Sequence, residues 1–375
     1  MGLDKVFLVD TTLRDGEQTP FVNFKEKEKL KIAYLLDILG VDEIEAGIPA
    51  SGDDEKKYFE KLFALSLRAK IFSWNRLSRS DITASIICGV KNVHICVPSS
   101  DIHIYKKLKK DKDWIIFKMN KVLDFCTTKD LSVTLGFEDA SRADFEFLKV
   151  LVSEINKYDV KRVRYADTIG LENPFSVSER IKALKAIWNG EIEYHGHNDL
   201  GMATANAFSA FISGASHLSV SVNGLGERAG NTALEEICMA IGKSSPASIS
   251  IDFAKLGKLS RVVEKYSGVK LSKIKPVVGR DIFTHSSGIH INGMIKDKNT
   301  YTSIDPLELG RKNKYVIGKY TGKSAAYYIF KQHGYELAEK QILKALKIIK
   351  NIFKKKRTYS QNQIIEKCLK KLDIK

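Results

Sequence analysis

No run of about 18 apolar residues occurs in the chain, which excludes a helix able to span a bilayer. The N-terminal MGLDKVFLVDTT meets Asp4 before any apolar stretch, unlike a signal peptide, so the chain is expected in the cytosol with no membrane partner. Cysteine is scarce: Cys88, Cys96, Cys126, Cys238 and Cys368 are scattered and form no CxxC pair. That pattern excludes a disulfide framework and a thiolate zinc site, leaving reduced, mostly buried thiols. Interleaved aromatics are missing from the lysine clusters KKLKKDK (106–112) and KALKIIKNIFKKKR (344–357). The formal charge of +16 therefore reads as lysine-rich solvated faces rather than a nucleic-acid platform. A glycine-rich phosphate turn is also missing after the first candidate strand, where DTTLRDGEQ stands, which counts against an open doubly wound sheet.

What is present is a chain of 375 residues, 43% hydrophobic and 28% charged, the composition of a folded globular protein. Short β-branched and apolar runs alternate with amphipathic segments. Strands are predicted at 5–10, 41–47, 69–74, 92–97, 131–137, 162–167, 191–197 and 217–222, apolar along nearly their whole length. Helices are predicted near 25–40, 53–66, 78–88, 111–129, 141–156, 174–187, 201–213 and 230–241. Eight such units point to an α/β fold, a (β/α)8 TIM barrel over 1–245. The rhythm stops after KSSPASISID (243–252). A helix near 253–266, an irregular stretch over 276–322 and helices near 323–333, 335–352 and 360–371 then suggest a mainly helical C-terminal accessory region. Its expected parts are a linker, 246–322, that reaches a partner subunit, and a helical end, 323–375, with no regulatory domain.

Barrel enzymes carry their chemistry at the C-terminal ends of the strands. Those ends offer Asp10, Arg14, Asp15, Glu17 and Gln18, then Glu45, then Trp74, Asn75 and Arg76, then Glu138 and Asp139, Asp167 and Thr168, and finally His195, His197, Asn198, Asp199 and Asn223. His195 and His197 stand two apart on a strand, so both imidazoles point one way and can grip one ion, with a carboxylate such as Asp15 completing the set. A polar turn before a helix explains the same HxH pair, and Asp15-Gly16 is also a common turn dipeptide. Arg14 and Arg76 can be structural ion-pair partners or can fork onto a substrate carboxylate. In NGLGERAGN (223–231), a turn accounts for Gly224 and Gly226; so does the close approach of an anion to backbone N–H.

DTTLRDGEQ, HGHNDLGMATANA and NGLGERAGN, in this order, resemble the 2-isopropylmalate synthase and homocitrate synthase family of metal-dependent barrel enzymes. The likeness extends through EDASRAD (138–144), YADTIG (165–170) and SGIHINGM (287–294), nearly the whole chain. It implies an acyltransferase that condenses acetyl-CoA with a 2-oxo acid and hydrolyses the thioester. It implies Asp15, His195 and His197 as ligands of a divalent ion (Mg2+, Mn2+ or Zn2+), with Asn231 an outer or water-mediated ligand. Arg14 would lie over the keto group, Gln18 and Thr168 would line the pocket, and Asn223, Gly224 and Gly226 would mark the acetyl-CoA side. Glu138 would be an acid–base group, and His290 would come from the partner subunit of a homodimer. GRKNKYVIG (310–318) fits the family pattern imperfectly around Tyr315, a candidate second proton-transfer group. SWNRLSRSDI (73–82) and VTLGFEDASRAD (133–144) are most similar to homocitrate synthases associated with nitrogen fixation. Arg76, where lysine-pathway members usually carry histidine, would then bind the distal carboxylate of 2-oxoglutarate. The alternatives are isopropylmalate or citramalate synthase, a lyase or aldolase on the same barrel, and a non-catalytic basic protein binding RNA or a membrane surface.

Overall fold

The computed structural model describes residues 5–354 and 359–374. Asp4 and residues 355–357 of the C-terminal lysine cluster lie outside them. The chain forms two compact units, one ending at Leu271 and the other beginning at Ser272.

The first unit is a closed barrel of eight parallel strands. These are β1 (Phe7–Asp10), β2 (Glu43–Gly47), β3 (Lys70–Arg76), β4 (Asn92–Pro98), β5 (Ser132–Glu138), β6 (Val160–Asp167), β7 (Glu191–Gly196) and β8 (His217–Val220). Closure is made by β1 on β8, with Phe7 opposite His217 and Asp10 opposite Val220. The alternating helices are α1 (Glu26–Leu39), α2 (Asp53–Ala64), α3 (Arg79–Ile87), α4 (Lys112–Thr127), α5 (Phe145–Ile155), α6 (Pro174–Ile187), α7 (Ala203–Ile212) and α8 (Leu234–Ser244). The expected TIM barrel is therefore the fold.

Local chemistry sets the boundaries. Asp111 caps α4 by accepting from Trp114 N at 2.7 Å, and Asn173 caps α6 just ahead of Pro174, a residue suited to a first helical position because it has no N–H to satisfy. α1 ends at Gly40, whose φ is 105° and where a Cβ would stand 1.9 Å from the Ser250 carbonyl oxygen, so only glycine fits. α8 begins at Leu234 rather than near 230, because the preceding loop is tied to β7's end by Asn198 N–H to Gly230 O, 2.8 Å, and a His197–Asn231 bridge. A ninth helix, α9 (Phe253–Ser267), packs on α1 within this unit, and Asp252 N–H donates to Leu39 O at 2.9 Å.

The expectation of strands apolar along their length fails on β2, β6 and β7. Glu43 and Glu45, Arg162 and Arg164, and Glu193 and His195 alternate there with buried Ile44, Val163 and Ile192. Arg162 pairs with Glu43 at 2.5 Å and Arg164 with Glu45 at 2.7 Å. β2 and β6 are not neighbours, so these pairs cross the lumen. Glu193 joins both arginines, at 3.1 and 2.7 Å. The lumen is thus filled by matched charges where aliphatic layers usually stand, while the outward residues supply the apolar seam against the helices.

The second unit contains a short parallel pair, β9 (Thr284–His285) and β10 (Lys314–Tyr315), and four helices: α10 (Gly288–Lys296), α11 (Lys323–Gln332), α12 (Glu339–Lys354) and α13 (Gln361–Lys371). α10 lies in the stretch read from sequence as irregular. Its own core includes Ile291, Ile329, Phe330, Ile342, Ile349 and Ile365. Among the described residues, no helix is long and apolar enough to cross a membrane.

Candidate active site at the barrel mouth

β1 runs directly into the first half of the site. Past Asp10 the chain turns back, with Arg14 and Gly16 N–H groups both donating to the Thr11 carbonyl, and this places Arg14 and Asp15 over the lumen. Arg14 Nη1 bonds Asp15 Oδ2 at 2.6 Å, its Nε bonds Glu45, and its guanidinium lies over the Trp74 ring at 5.7 Å. Both carboxylates are almost wholly buried. Burial pushes Glu45 up, but Arg14 and Arg164 outweigh it and hold it well below the usual carboxylate range. Burial likewise acts against Asp15, yet Arg14 and the two imidazoles bring it down to about 2.

β7 supplies the second half. His195 Nε2 lies 3.4 Å from Asp15 Oδ2 and 3.2 Å from His197 Nε2. One ligand atom from each of Asp15, His195 and His197 falls within 4.8 Å of the others. Two nitrogens bound at about 2.1 Å to one ion, at right angles, would be about 3 Å apart. Burial pushes both histidines below their ordinary value, strongly for His195. Burial thus favours the neutral form of both rings, which has a lone pair to offer. Asp15 Oδ1 and Asn231 Oδ1 are buried without a hydrogen-bond partner, and the Asn231 amide is among the groups lowering Asp15. Buried oxygens in this state beside two imidazoles are suited to a cation, so the donor set fits a divalent ion.

This cluster opens into a cavity of about 240 Å³ that Gln18, Trp74, His94, Glu138, Arg164 and Thr168 also line. A larger hollow, about 370 Å³, opens near Phe7, Lys70 and His217 at the strands' N-terminal ends. The Asp15–His195–His197 cluster and the strands' C-terminal ends, where barrel enzymes carry their chemistry, lie at the smaller cavity. Thr168 Oγ1 accepts from Asp139 N–H at 2.9 Å, so its own hydroxyl hydrogen remains to be donated. Glu138 is reached by Lys107 at 2.9 Å and His103 at 3.3 Å.

Two groups of expected site residues are placed otherwise. Arg76 turns to Asp81, with bonds of 2.8 and 3.0 Å, and does not line the cavity. A carboxylate five residues on, at the start of α3, captures the guanidinium before it can reach the lumen. The turn at Asn223, Gly224 and Gly226 is occupied by the protein itself. The Asn223 amide pairs with Ser260 at 2.6 and 3.0 Å, its N–H donates to Glu235, Gly224 N–H to Ser221 O, and Gly226 N–H to Thr19 Oγ1. No N–H of these three is left for an anion. At Gly226 a Cβ would meet Asn231 Nδ2 at 2.4 Å, so this glycine makes room for Asn231. His290, on α10, stacks on Tyr301 at 4.2 Å, and Tyr315, on β10, packs edge-on to Tyr328; both belong to the second unit.

Sequence reasoning passed over His94, Arg164, His103 and Lys107. Arg164 had a signal in the alternation of RVRYAD, which a wholly buried strand should not show. Lys107 was hidden within KKLKKDK.

Residues 5–263 match the family model described as HMGL-like, and residues 277–357 match the one described as homocitrate synthase post-HMGL domain-like. The chain is 43% identical to 2-isopropylmalate synthase 2 of Caldanaerobacter subterraneus subsp. tengcongensis, over 90% of this chain and 88% of that protein. It is 40% identical to a homocitrate synthase of Frankia alni, over 87% and 93%. Among solved structures, the HMG-CoA lyase of Bacillus subtilis shares the fold at a TM-score of 0.65 and 20% identity, covering 72% of this chain and 97% of that one. With the barrel, the Asp15–His195–His197 cluster and these matches together, the chain belongs to the HMGL-like family.

Proposed function

We propose that the chain is a homocitrate synthase, an acyltransferase that condenses acetyl-CoA with 2-oxoglutarate and hydrolyses the thioester to homocitrate and CoA. The carrying observation is the convergence of Asp15, His195 and His197 beside Glu138 and Thr168 in one cavity. Asp15, His195 and His197 would hold Mg2+, Mn2+ or Zn2+, with Asn231 at the edge of the set. A divalent ion bound there supplies Lewis-acid polarisation of a keto oxygen.

The chain's own groups divide the remaining work. Arg14, tied to Glu45 and Asp15, is fixed beside the ligands, where its charge meets the keto acid. Thr168 donates its hydroxyl to the substrate carboxylate, and Gln18 closes the same wall. Glu138, ionised, accepts or returns the proton. Since Arg76 is turned outward, a second substrate carboxylate would meet Arg164 and His94 on the cavity wall instead. By family resemblance, a second copy of the chain supplies His290 and Tyr315 to complete the site in a homodimer. Nitrogen fixation is the setting the motifs suggest, and the cytosol the compartment.

The second reading is 2-isopropylmalate or citramalate synthase. It is favoured by the outward Arg76 and by the 43% identity to an isopropylmalate synthase. Release of CoA from acetyl-CoA, measured with 2-oxoglutarate, 2-oxoisovalerate and pyruvate in turn, decides between them. A higher kcat/KM with 2-oxoisovalerate or pyruvate would overturn the homocitrate reading; no release with any of them would overturn synthase activity altogether.

A further inference from the structure

After β4 the chain makes a single wide π-type turn, Ile102–Lys107, closed by Leu108 N–H on the His103 carbonyl at 3.0 Å and anchored by fully buried Ile104. Wide turns of this kind recur at functional sites. Residues four apart share a face of such a turn, and here that face meets the end of β5. Lys107 Nζ lies 2.9 Å from Glu138 Oε1, and His103 Nδ1 lies 3.3 Å from Glu138 Oε2. On its other side, His103 Nε2 stands 3.7 Å from Asp139 Oδ2.

The adjacent carboxylates flank His103 because Asp139 takes φ 61°, a left-handed conformation uncommon for a non-glycine residue. Asp139 is itself fixed: Arg142 forks onto it at 2.7 to 3.0 Å, Ser100 Oγ donates to it, and its N–H donates to Thr168. His103 thus stands between an immobile aspartate and the cavity-lining glutamate.

We propose that His103 and Lys107 are positioning residues for Glu138, Lys107 holding one oxygen by a hydrogen bond and the His103 ring standing against the other, so that its carboxylate meets the substrate in one orientation and ionised. The proposal rests on the reading of Glu138 as the acid–base group. The charge balance agrees with it. Burial alone would raise Glu138; contact with His103 and Lys107 outweighs that and holds it below its ordinary value. Ionisable groups facing it from the neighbouring elements include Cys96 on β4, Arg164 on β6, and Asp139, the last matched by Arg142. With the raised pKa that burial alone would give it, Glu138 would lose its basic form in mildly acidic solution.

The test uses the full chain loaded with Mn2+, as wild type, Lys107→Met, Lys107→Arg and His103→Asn. Lys107→Met should move the acidic limb of the kcat/KM profile up by about one pH unit, the effect of losing a close opposite charge, and His103→Asn should move it in the same direction by removing the contact at the other oxygen. In both, kcat should fall about tenfold on the plateau above the limb, where Glu138 is ionised in every variant and only its orientation is lost, KM for the 2-oxo acid should stay within about twofold, and Lys107→Arg should return the limb to its place. An unmoved limb in both variants, or a rise in KM for acetyl-CoA with kcat unchanged, overturns the proposal; the latter would make Lys107 a binding group for the coenzyme. The Glu138 carboxyl resonance, assigned with Glu138→Gln and titrated by 13C NMR in chain loaded with diamagnetic Mg2+, gives an answer without turnover. It should titrate lower in wild type than in Lys107→Met, and equal midpoints sink the idea. A wild type that condenses no 2-oxo acid would defeat the catalytic reading, while the NMR comparison would still decide the positioning.

Discussion

Nε2 of His195 stands 3.2 Å from Nε2 of His197, with the two rings 77° apart at the end of a single strand. In the absence of an ion, one ring must donate to the other while Asp15 Oδ1 remains without a partner. An ion at their meeting point satisfies all three residues at once. A site of this kind links ion binding to stability as well as to activity.

Mn2+ should therefore raise the melting temperature of wild type, the gain reaching about 2.7 kcal/mol when free ion is one hundred times Kd. His197→Ala should show no rise, bind no ion by calorimetry and release no CoA. Full ion binding by that variant would remove the metal assignment.

Glu138→Gln should retain ion binding and fold, since Glu138 is not a member of the ligand cluster. Its kcat should be lower by about 100- to 10,000-fold, the usual worth of general acid–base catalysis. A loss of less than tenfold would assign the proton transfer to another group.

Arg164→Met tests the charges in the lumen. It removes the cation that Glu45 and Glu193 share, and both of those are fully buried. Breaking such a pair from one side costs about 3–5 kcal/mol, which chemical denaturation would read. The double variant Arg164→Met, Glu193→Leu should recover part of that loss by removing one of the stranded charges.

Asp10 provides a pH signature. Burial is the largest cause raising it, against hydrogen bonds from Thr12, and it stands at about 7 in the folded chain against 3.8 ordinarily. Between those values the folded state holds a proton that the unfolded state has released. This contribution is therefore fully present below pH 3.8 and is lost as pH rises through about 7, at no more than about 1.4 kcal/mol per unit. Asp10→Asn should remove that slope, gaining on wild type as pH rises from 5 to 8. Parallel stability curves for the two proteins would refute the assignment.

The barrel was legible because strand and helix periods alternate eight times and each change of period carries its own turn chemistry. The Asp15–His195–His197 cluster was legible too, since HxH at a strand end and Asp15 after the first strand are local patterns that the closed sheet brings together. Arg76 was expected toward the cavity and pairs with Asp81 instead: its position at a strand end is visible in sequence, but the competing carboxylate matters only once α3 has folded back beside it. The turn at 223–226 was open to two readings for the same reason. Its N–H groups find Thr19, Ser221 and Glu235, whose nearness depends on the fold.

By itself, the sequence determined the alternating units and the residues able to bind an ion, because periodicity and strand parity are local properties of the chain. Only the tertiary structure decided which charges meet. Glu45 and Arg164 are 119 residues apart and pair across the lumen, and Lys107 and His103 reach Glu138 from a turn on another strand. Electrostatic energy depends on separation and burial, and neither is set until the barrel closes.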